Sequence, residues 1–425
     1  MKIRLLLLLV ITTLLVINIS GQQLDAAKAN RHYKQAINYY QQKDFKKAAD
    51  EMKAANQFRP NYPRYLYNWA AILALGNQNE KALKVLNRIA SFKIYFDIEK
   101  DSDFVSLFKD ETFKKIANEF SNSLNPIVNS KAAFSLKQKN LLTESVAFNP
   151  NTNKFYVGSV HKRKIVEYDP KTGQHDFIKE GENGIWSVFG MKINPDKNLL
   201  YACTGALEQT DSVDSTEYWK SGIFIYDLKT GKLKNKILLD NSSPHLLGDL
   251  AIDSKGNVFA TDSRANIIYK LNDNKLEKFF ESSDFFSLQG ITISDDDNSM
   301  FVCDYSTGIH RIDMKTREKM VVKYPDDLMV LGIDGLYCYK NSLIGIQNGI
   351  RPFRVIKMKL NNSLNEITNW EVLESNNPVF NEPTLGVIVD NNFYFIANSQ
   401  WESFGKEGPK AELHNPVILK VNLAE

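Results

Sequence analysis

Apolar residues recur along this chain at two different periods, and the change from one to the other falls near residue 130. From Ala29 onward the period is close to that of an α-helix. Small and aromatic residues stand at Ala36, Tyr39, Ala48 and Ala55, and the run stops at Pro60, which is the spacing of helix, turn, helix and breaker. The same marks return 34 residues on, Ala36 as Ala70 and Ala48 as Ala82, with Leu73 in the place of Tyr39 and Ile94 in the place of the proline. A further stretch, "DFVSLFKDETFKKIANEF" from Asp103, carries Phe104, Leu107, Phe108, Phe113, Ile116 and Phe120 at helical spacing and predicts a capping helix. Two helix pairs fall short of the roughly three repeats a solenoid needs to stand alone, so the array is expected to lean on its neighbour.

Beyond "NSLNPIVNS" the period becomes two. "SVAFNPNTNKFYVGS", "GMKINPDKNLLYACTG", "GDLAIDSKGNVFATDS" and "GITISDDDNSMFVCDY" are versions of one hairpin, with "GIDGLYCYKNSLIGIQ" and "PTLGVIVDNNFYFIAN" as shorter-turned fifth and sixth copies. "YDPKTG", "YDLKTG" and "IDMKTR" mark later turns, where a third strand reverses into a fourth. Six units of about four strands each predict a six-bladed β-propeller, an arrangement that leaves few free sheet edges. The last unit ends on "NPVILKVNLAE", a third strand with no chain left for a fourth, and "KAAFSLKQ" from Lys131 is expected to supply the missing outer strand. The fold class is therefore α+β multidomain, a short helical array followed by an all-β propeller. Expected boundaries are an export signal over 1–21, a helical domain over 22–122, a linker over 123–130 and the propeller over 131–425.

Composition changes this picture little: 43% apolar and 24% charged residues are globular values. The net charge of +3 gives no electrostatic footprint for nucleic acid, with roughly +5 on residues 22–130 and about −4 beyond. Lys2 and Arg4 precede the apolar run "LLLLLVITTLLVINI" and then small and polar residues, the pattern of a cleaved export signal, so the chain is expected to be exported, to the periplasm or the cell exterior. No later stretch is long enough to span a bilayer. Cys203, Cys303 and Cys338 lack metal spacing; the first two occupy a repeat position also filled by Gly158 and Thr261, a site for small packing residues.

Candidate chemistry comes from aligning the hairpins on their turns. Glu144, Phe189, Gly248, Gln289 and Asp334 fall at the same position just before the first strand of blades 1 to 5, where a propeller faces its central axis. Asp249 stands one residue further in, and Glu382 lies close by in blade 6. Carboxylates brought to one axis repel, so either their pKa values rise or a cation sits among them. With the amide of Gln289 they form an all-oxygen set suited to a divalent metal, Ca²⁺ first. The competing account is that each acid caps backbone N–H groups at its strand start. Loops between second and third strands crown the same mouth: "ALEQTDSVDSTEYWKS", "SQWESFGKEGPKAELHNP", and "QNGIRPFRV" with Gln347, Asn348, Arg351 and Arg354.

The 34-residue helix pairs resemble the tetratricopeptide family over about residues 29 to 95. Residues 132 to 425 resemble the gluconolactonase and regucalcin (senescence-marker) family of six-bladed propellers, on the "ESV" of Glu144 and the "DGL" of Asp334. Gln289 in "QGI" stands where that family has Asn, and Gly248 in "GDL" where it has an amide side chain. The resemblance implies a metal held by Glu144, Gln289 and Asp334, lactone or ester hydrolysis with Asp249 taking the proton and His245 as a further candidate, and substrate contacts from Arg351, Asn348 and Glu382. A non-catalytic module that binds protein or glycan through the mouth and helical repeats is the alternative. No nucleophile elbow, zincin motif or phosphate-binding glycine loop occurs. Expected partners are a lactone or sugar-derived small molecule and a protein at the helical repeats.

Overall fold

A computed structural model describes residues 25–240, 242–405, 408–410 and 412–424. The expected export signal lies outside the described residues. Among the described residues, no helix is long and apolar enough to cross a membrane.

The helical array comprises α1 (Ala26–Gln41), α2 (Phe45–Phe58), α3 (Pro63–Leu75), α4 (Asn79–Ser91) and α5 (Glu111–Ser123). Asp25 and Asp44 cap α1 and α2 by accepting from Lys28 N and Lys47 N, and Pro63 opens α3, where its missing N–H costs nothing. The repeat positions Ala36, Ala48, Ala70 and Ala82 are each fully buried, because only a small side chain lets paired helices approach there. The stretch from Asp103 is not one helix. Asp110 accepts from Thr112 N and Phe113 N and starts α5 afresh, leaving Ser102–Leu107 as a 3₁₀ turn whose Phe104 and Leu107 still reach the core.

Six four-stranded antiparallel sheets follow, the expected six blades. Their innermost strands are Thr143–Asn149, Ser187–Asn194, Leu247–Ile252, Leu288–Ile293, Ile333–Tyr339 and Gly386–Val389. The three expected outer turns form around Asp169, Asp227 and Asp313, whose carboxylates accept backbone N–H groups two residues on, as short acidic side chains do in turns. Blade 6 is closed by both ends of the propeller: Lys131–Ser135 pairs with Val417–Asn422, which lies between it and Asn392–Ile396.

The helical array sits against the mouth face at blades 4 and 5. Met329, Leu331 and Ile350 of the propeller pack into the helical core. Tyr95 N donates to Arg351 O at 2.7 Å, and Arg59 donates to Ser306 O at 2.7 and 3.2 Å. The linker is no free tether. Ile127 bridges to Ser375, and Asn129 N and Ser130 N donate to the buried Glu374 carboxylate at 2.7 and 3.1 Å.

At the centre of this contact lies Arg354, 1% exposed. Its Nε donates to Gln347 Oε1 at 2.6 Å, and its Nη1 to Phe92 O and Lys93 O at 3.1 and 3.4 Å. Phe92 is the C-cap of α4, so the guanidinium meets carbonyls that the helix leaves unpaired, at the negative end of its dipole. Burial lowers the Arg354 pKa to about 10, which still leaves it charged at neutral pH. Gln347 in turn donates to Met329 O and Leu331 O at 2.8 and 2.9 Å. Both residues, expected among the polar groups of the mouth loop, are therefore buried: Arg354 ties the propeller to the array, and Gln347 holds it from within the propeller.

Two outcomes follow. Removing the last ten residues deletes the strand between Lys131–Ser135 and Asn392–Ile396, and the cooperative thermal transition should vanish; a truncated chain melting normally by circular dichroism would contradict ring closure. Replacing Arg354 by Met strands the buried acceptors of Gln347 and Phe92 and frees the Lys93 carbonyl, and should destabilise the folded chain by about 3 kcal/mol. Limited proteolysis should then cut near residues 123–130, which stay protected in the parent protein.

Candidate functional site

Five innermost strands are bulged where they reach the mouth, between Thr143 and Val146, Val188 and Met191, Leu247 and Asp249, Leu288 and Ile291, and Ile333 and Leu336. A bulge inserts an unpaired residue and re-aims its side chain. Glu144, Phe189, Gly248, Gln289 and Asp334 consequently line one axial pocket of about 150 Å³. Leu385, just before Gly386–Val389, completes the ring, while Glu382 stands three residues upstream and lines a neighbouring cleft instead. The next ring inward is Ser145, Gly190, Asp249, Gly290, Gly335 and Gly386. Its glycines are required by crowding: a Cβ on Gly190 would come within 2.6 Å of Asp249 Cα, and one on Gly290 within 2.5 Å of Leu336 N.

Trp401 Nε1 donates to Glu144 Oε2 at 2.8 Å. Burial, then the charge of Asp334, pushes the Glu144 pKa well above the carboxylate range, with the indole opposing. Asn348 Nδ2 donates to Asp334 Oδ2 at 2.9 Å and to Pro383 O, while its own oxygen accepts from Tyr305 at 2.6 Å. Asp334 is partly open to the pocket, yet loss of water still raises it to about 7, aided by Glu382 and Asp249. Glu382 also rises to about 7, through burial and then Glu402, with Arg351 opposing.

Asp249 is differently placed. Oδ1 accepts from Leu250 N at 2.8 Å, Oδ2 from Ile291 N at 3.4 Å, and Lys192 Nζ stands 3.7 Å from Oδ1. Burial raises its pKa against the pull of Lys192. It caps backbone and answers a lysine, which is the structural account for that one acid. His245 does not join the axial pocket: its Nδ1 bonds to Asp262 Oδ2 at 2.6 Å, and Asp262 organises its own loop by accepting from Leu246, Arg264 and Ala265 N–H groups.

A larger cleft of about 740 Å³ opens beside the axis, and Trp401 lines both. Asn348, Arg351 and Glu382 are all on its wall, Arg351 stacked 3.7 Å over Phe353 and 3.6 Å from Glu402. Trp401 and Tyr305 were not legible as site residues. Loops have no repeat register, and only the aromatic type of Trp401 within a long mouth loop could have drawn notice.

Among the described residues, no group of three His, Cys, Asp or Glu side chains could hold a metal ion. The expected set has only two acids, Glu144 and Asp334, with the amide of Gln289. Each acid has one oxygen taken by Trp401 or Asn348, and Gln289 Nε2 donates to Ser287 Oγ at 3.1 Å, which turns its carbonyl oxygen the other way. Three oxygens thus remain for a hard cation, a partial shell that ligand or water oxygens would complete. Gly248 contributes nothing, but a Cβ there would meet no atom within 4 Å, so the pocket has room at that point.

No family model and no curated protein matches the chain. Among solved structures, a gluconolactonase from Xanthomonas campestris is 12% identical over 70% of this chain and 94% of that one, at a TM-score of 0.45. Luciferin-regenerating enzyme is 15% identical over 70% and 95%, at 0.48. A PQQ-bound aldose sugar dehydrogenase from Streptomyces coelicolor is 12% identical over 70% and 99%, at 0.46. These likenesses are to six-bladed propellers and carry no argument about function.

The raised acids have a consequence for stability. Between about pH 4 and pH 7 the folded protein keeps protons on Asp334 and Glu382 that the unfolded chain has released, so these groups make stability fall as pH rises through that window. Melting temperatures compared at about pH 5 and pH 8 should decline less for Asp334→Asn than for the parent; equal slopes would contradict the raised pKa of the buried Asp334.

Proposed function

We propose that the axial pocket binds a hard divalent cation, Ca²⁺ first, and that the chain is an exported lactone or ester hydrolase of the gluconolactonase kind. The observation that carries the proposal is the convergence of Glu144, Gln289 and Asp334, from three separate blades, on one small pocket where the two acids repel. A cation among them would relieve that repulsion and lower both pKa values. In this proposal residues 1–21 direct export to the periplasm or exterior, 22–122 form a tetratricopeptide-like domain, 123–130 link it, and 131–425 form the catalytic propeller.

When bound, a divalent cation supplies Lewis-acid polarisation of a carbonyl oxygen. The chain's own residues do the rest. Trp401 and Asn348 fix one oxygen each of Glu144 and Asp334, so that the remaining oxygens are held in place without reorganisation. Asp249 has both oxygens engaged by backbone N–H groups and Lys192 beside it, so it is held as a positioning group. Glu382, half-exposed on the cleft wall and raised to about 7, suits a general base near neutral pH. Arg351, more than half exposed at the rim, would meet an anionic end of the substrate.

A second reading, recognition of a sugar-derived ligand without turnover, is favoured by the engagement of Asp249, which removes the proton acceptor that the family resemblance implies. Calorimetry with Ca²⁺ and hydrolysis of a small aldonolactone decide between them. Heat and turnover that are both lost in Glu144→Gln and Asp334→Asn support the hydrolase; heat with no turnover leaves the binding module. Gly248→Asn, which adds an amide oxygen where space is open, should tighten Ca²⁺ binding about tenfold. Absence of any heat with Ca²⁺, Zn²⁺ or Mn²⁺ would overturn the metal site.

A further inference from the structure

The cleft beside the axis has two walls of different origin. Tyr62, Tyr67, Tyr95 and Phe96 come from the helical array, and Phe353 and Trp401 from the propeller. The array is fastened there by Arg354 and by the bond from Tyr95 N to Arg351 O, so the second wall is a fixed part of the mouth. Its volume of about 740 Å³ suits a whole drug-sized ligand, whereas the axial pocket of about 150 Å³ has room for about one ring. Trp401 lines both spaces, so the narrow and the broad cavity lie side by side at the mouth with its indole as their common wall.

The lining selects the kind of molecule. Aromatic faces carry negative π density and attract the weakly positive C–H faces of pyranose rings. Between them stand charged groups that pair with hydroxyls: Arg351, Glu382 and Glu402. Their charges oppose one another, Arg351 standing 3.6 Å from Glu402, so the cleft favours a neutral chain over a polyanion. A peptide adding as a strand or a helix would need an open strand edge or an apolar helix groove. The mouth offers neither, since loops crown it and the array's core is occupied by Met329, Leu331 and Ile350; a Pro-rich segment, the peptide kind that docks on aromatic rings, lacks the hydroxyls that the charged lining would pair with.

We infer that the helical array and the propeller mouth together form an oligosaccharide-binding cleft, in which one terminal unit reaches the axial pocket and two or more further units stack between Tyr95 of the array and Trp401 of the propeller. This rests on the proposal that the axial pocket acts on a sugar-derived ring, and it adds the substrate's length and the role of the helical array. The array would thus set specificity as a wall of the site and not as a separate docking module.

The test uses the full chain with neutral gluco-, manno- and chito-oligosaccharides of one to six units, titrated by calorimetry in the presence of Ca²⁺. In at least one series affinity should rise by tenfold or more between one and three units and then level off. That ratio of long to short should collapse in Tyr95→Ala, and also in Arg351→Ala, an exposed position where the substitution leaves the core untouched. Equal affinity at every length, no binding in any series, or an unchanged ratio in both variants would overturn the inference. Ca²⁺ titration of Glu144→Gln separates the two proposals: length dependence that persists when neither parent nor variant binds Ca²⁺ sinks the hydrolase and keeps the cleft, and Ca²⁺-dependent lactone turnover without length dependence does the reverse.

Discussion

A buried cation without a carboxylate partner fixes the architecture of this protein. Removing a guanidinium from water is costly unless acceptors replace its hydration. Arg354 finds them for Nε in Gln347 and for Nη1 in the carbonyls that end α4, while Nη2 is buried without a partner, so the helical array supplies part of what the propeller leaves unsatisfied. Neither partner set is complete alone: a free propeller would expose Arg354 with Met329, Leu331 and Ile350, and a free array would expose the end of α4 and its apolar core. A two-pair array is short for independent stability, and this contact is the compensation. The location matters as much as the strength, because Gln347 and Arg354 flank the loop that carries Asn348 and Arg351. The tie between propeller and array and the wall of the cleft belong to the same eight-residue stretch.

The axial pocket depends on a second constraint, the crowding of six strands at a narrow ring. Each bulge turns one side chain inward, and the next residue must be small to let neighbouring blades approach. Ser145, Gly190, Gly290, Gly335 and Gly386 obey this, and Asp249 does not. Its carboxylate is accommodated because Lys192 and two backbone N–H groups surround it. The repeat position behind the ring obeys the same rule. Thr261 Oγ1 donates to Gln289 O, and Cys303 Sγ lies 3.6 Å from Asp334 O, so a small side chain on one blade's second strand supports the bulge of the next. Cys203 and Cys303 are accordingly free, buried packing residues, and burial raises their thiol pKa values well above the usual value.

The propeller was legible because its hairpins repeat a turn that locks register: a polar turn of known length fixes which residue meets the axis, and Glu144, Phe189, Gly248, Gln289 and Asp334 were all assigned that way. Blade 6 escaped because its turn is as short as that of blade 5 and its innermost strand lacks the bulge the other five share, so acid type drew attention to Glu382 while Leu385 holds the axial position. Closure was legible for a different reason, a count of strands that left one blade short. What sequence could not carry was any contact between parts with no common repeat. Nothing in "QNGIRPFRV" distinguishes Arg354, sealed against a helix end, from Arg351, open at the rim, since alternation along a strand end is lost at a loop. Trp401 and Tyr305 belong to the same class, as does the bond of His245 to Asp262, which ends the second strand of the hairpin that follows it.

Gly248 and Asp249 together suggest why this axis differs from one with four matched ligands. The family pattern puts an amide in the outer ring and a free acid behind it; here the outer side chain is gone and the acid behind is drawn toward Lys192. Both changes weaken the hold on a cation from the blade-3 side, leaving Glu144, Gln289 and Asp334 on the remaining arc of the ring. A ligand entering from the cleft would bring its own oxygens to the open arc, where a Cβ at Gly248 would meet nothing. Metal and sugar would then complete each other's coordination, so each should bind more tightly when the other is present, a reciprocity that linkage demands of any two ligands sharing one site. On the proposal made above, the open glycine would be the side of the pocket from which a ligand oxygen approaches, next to the broad aromatic cleft.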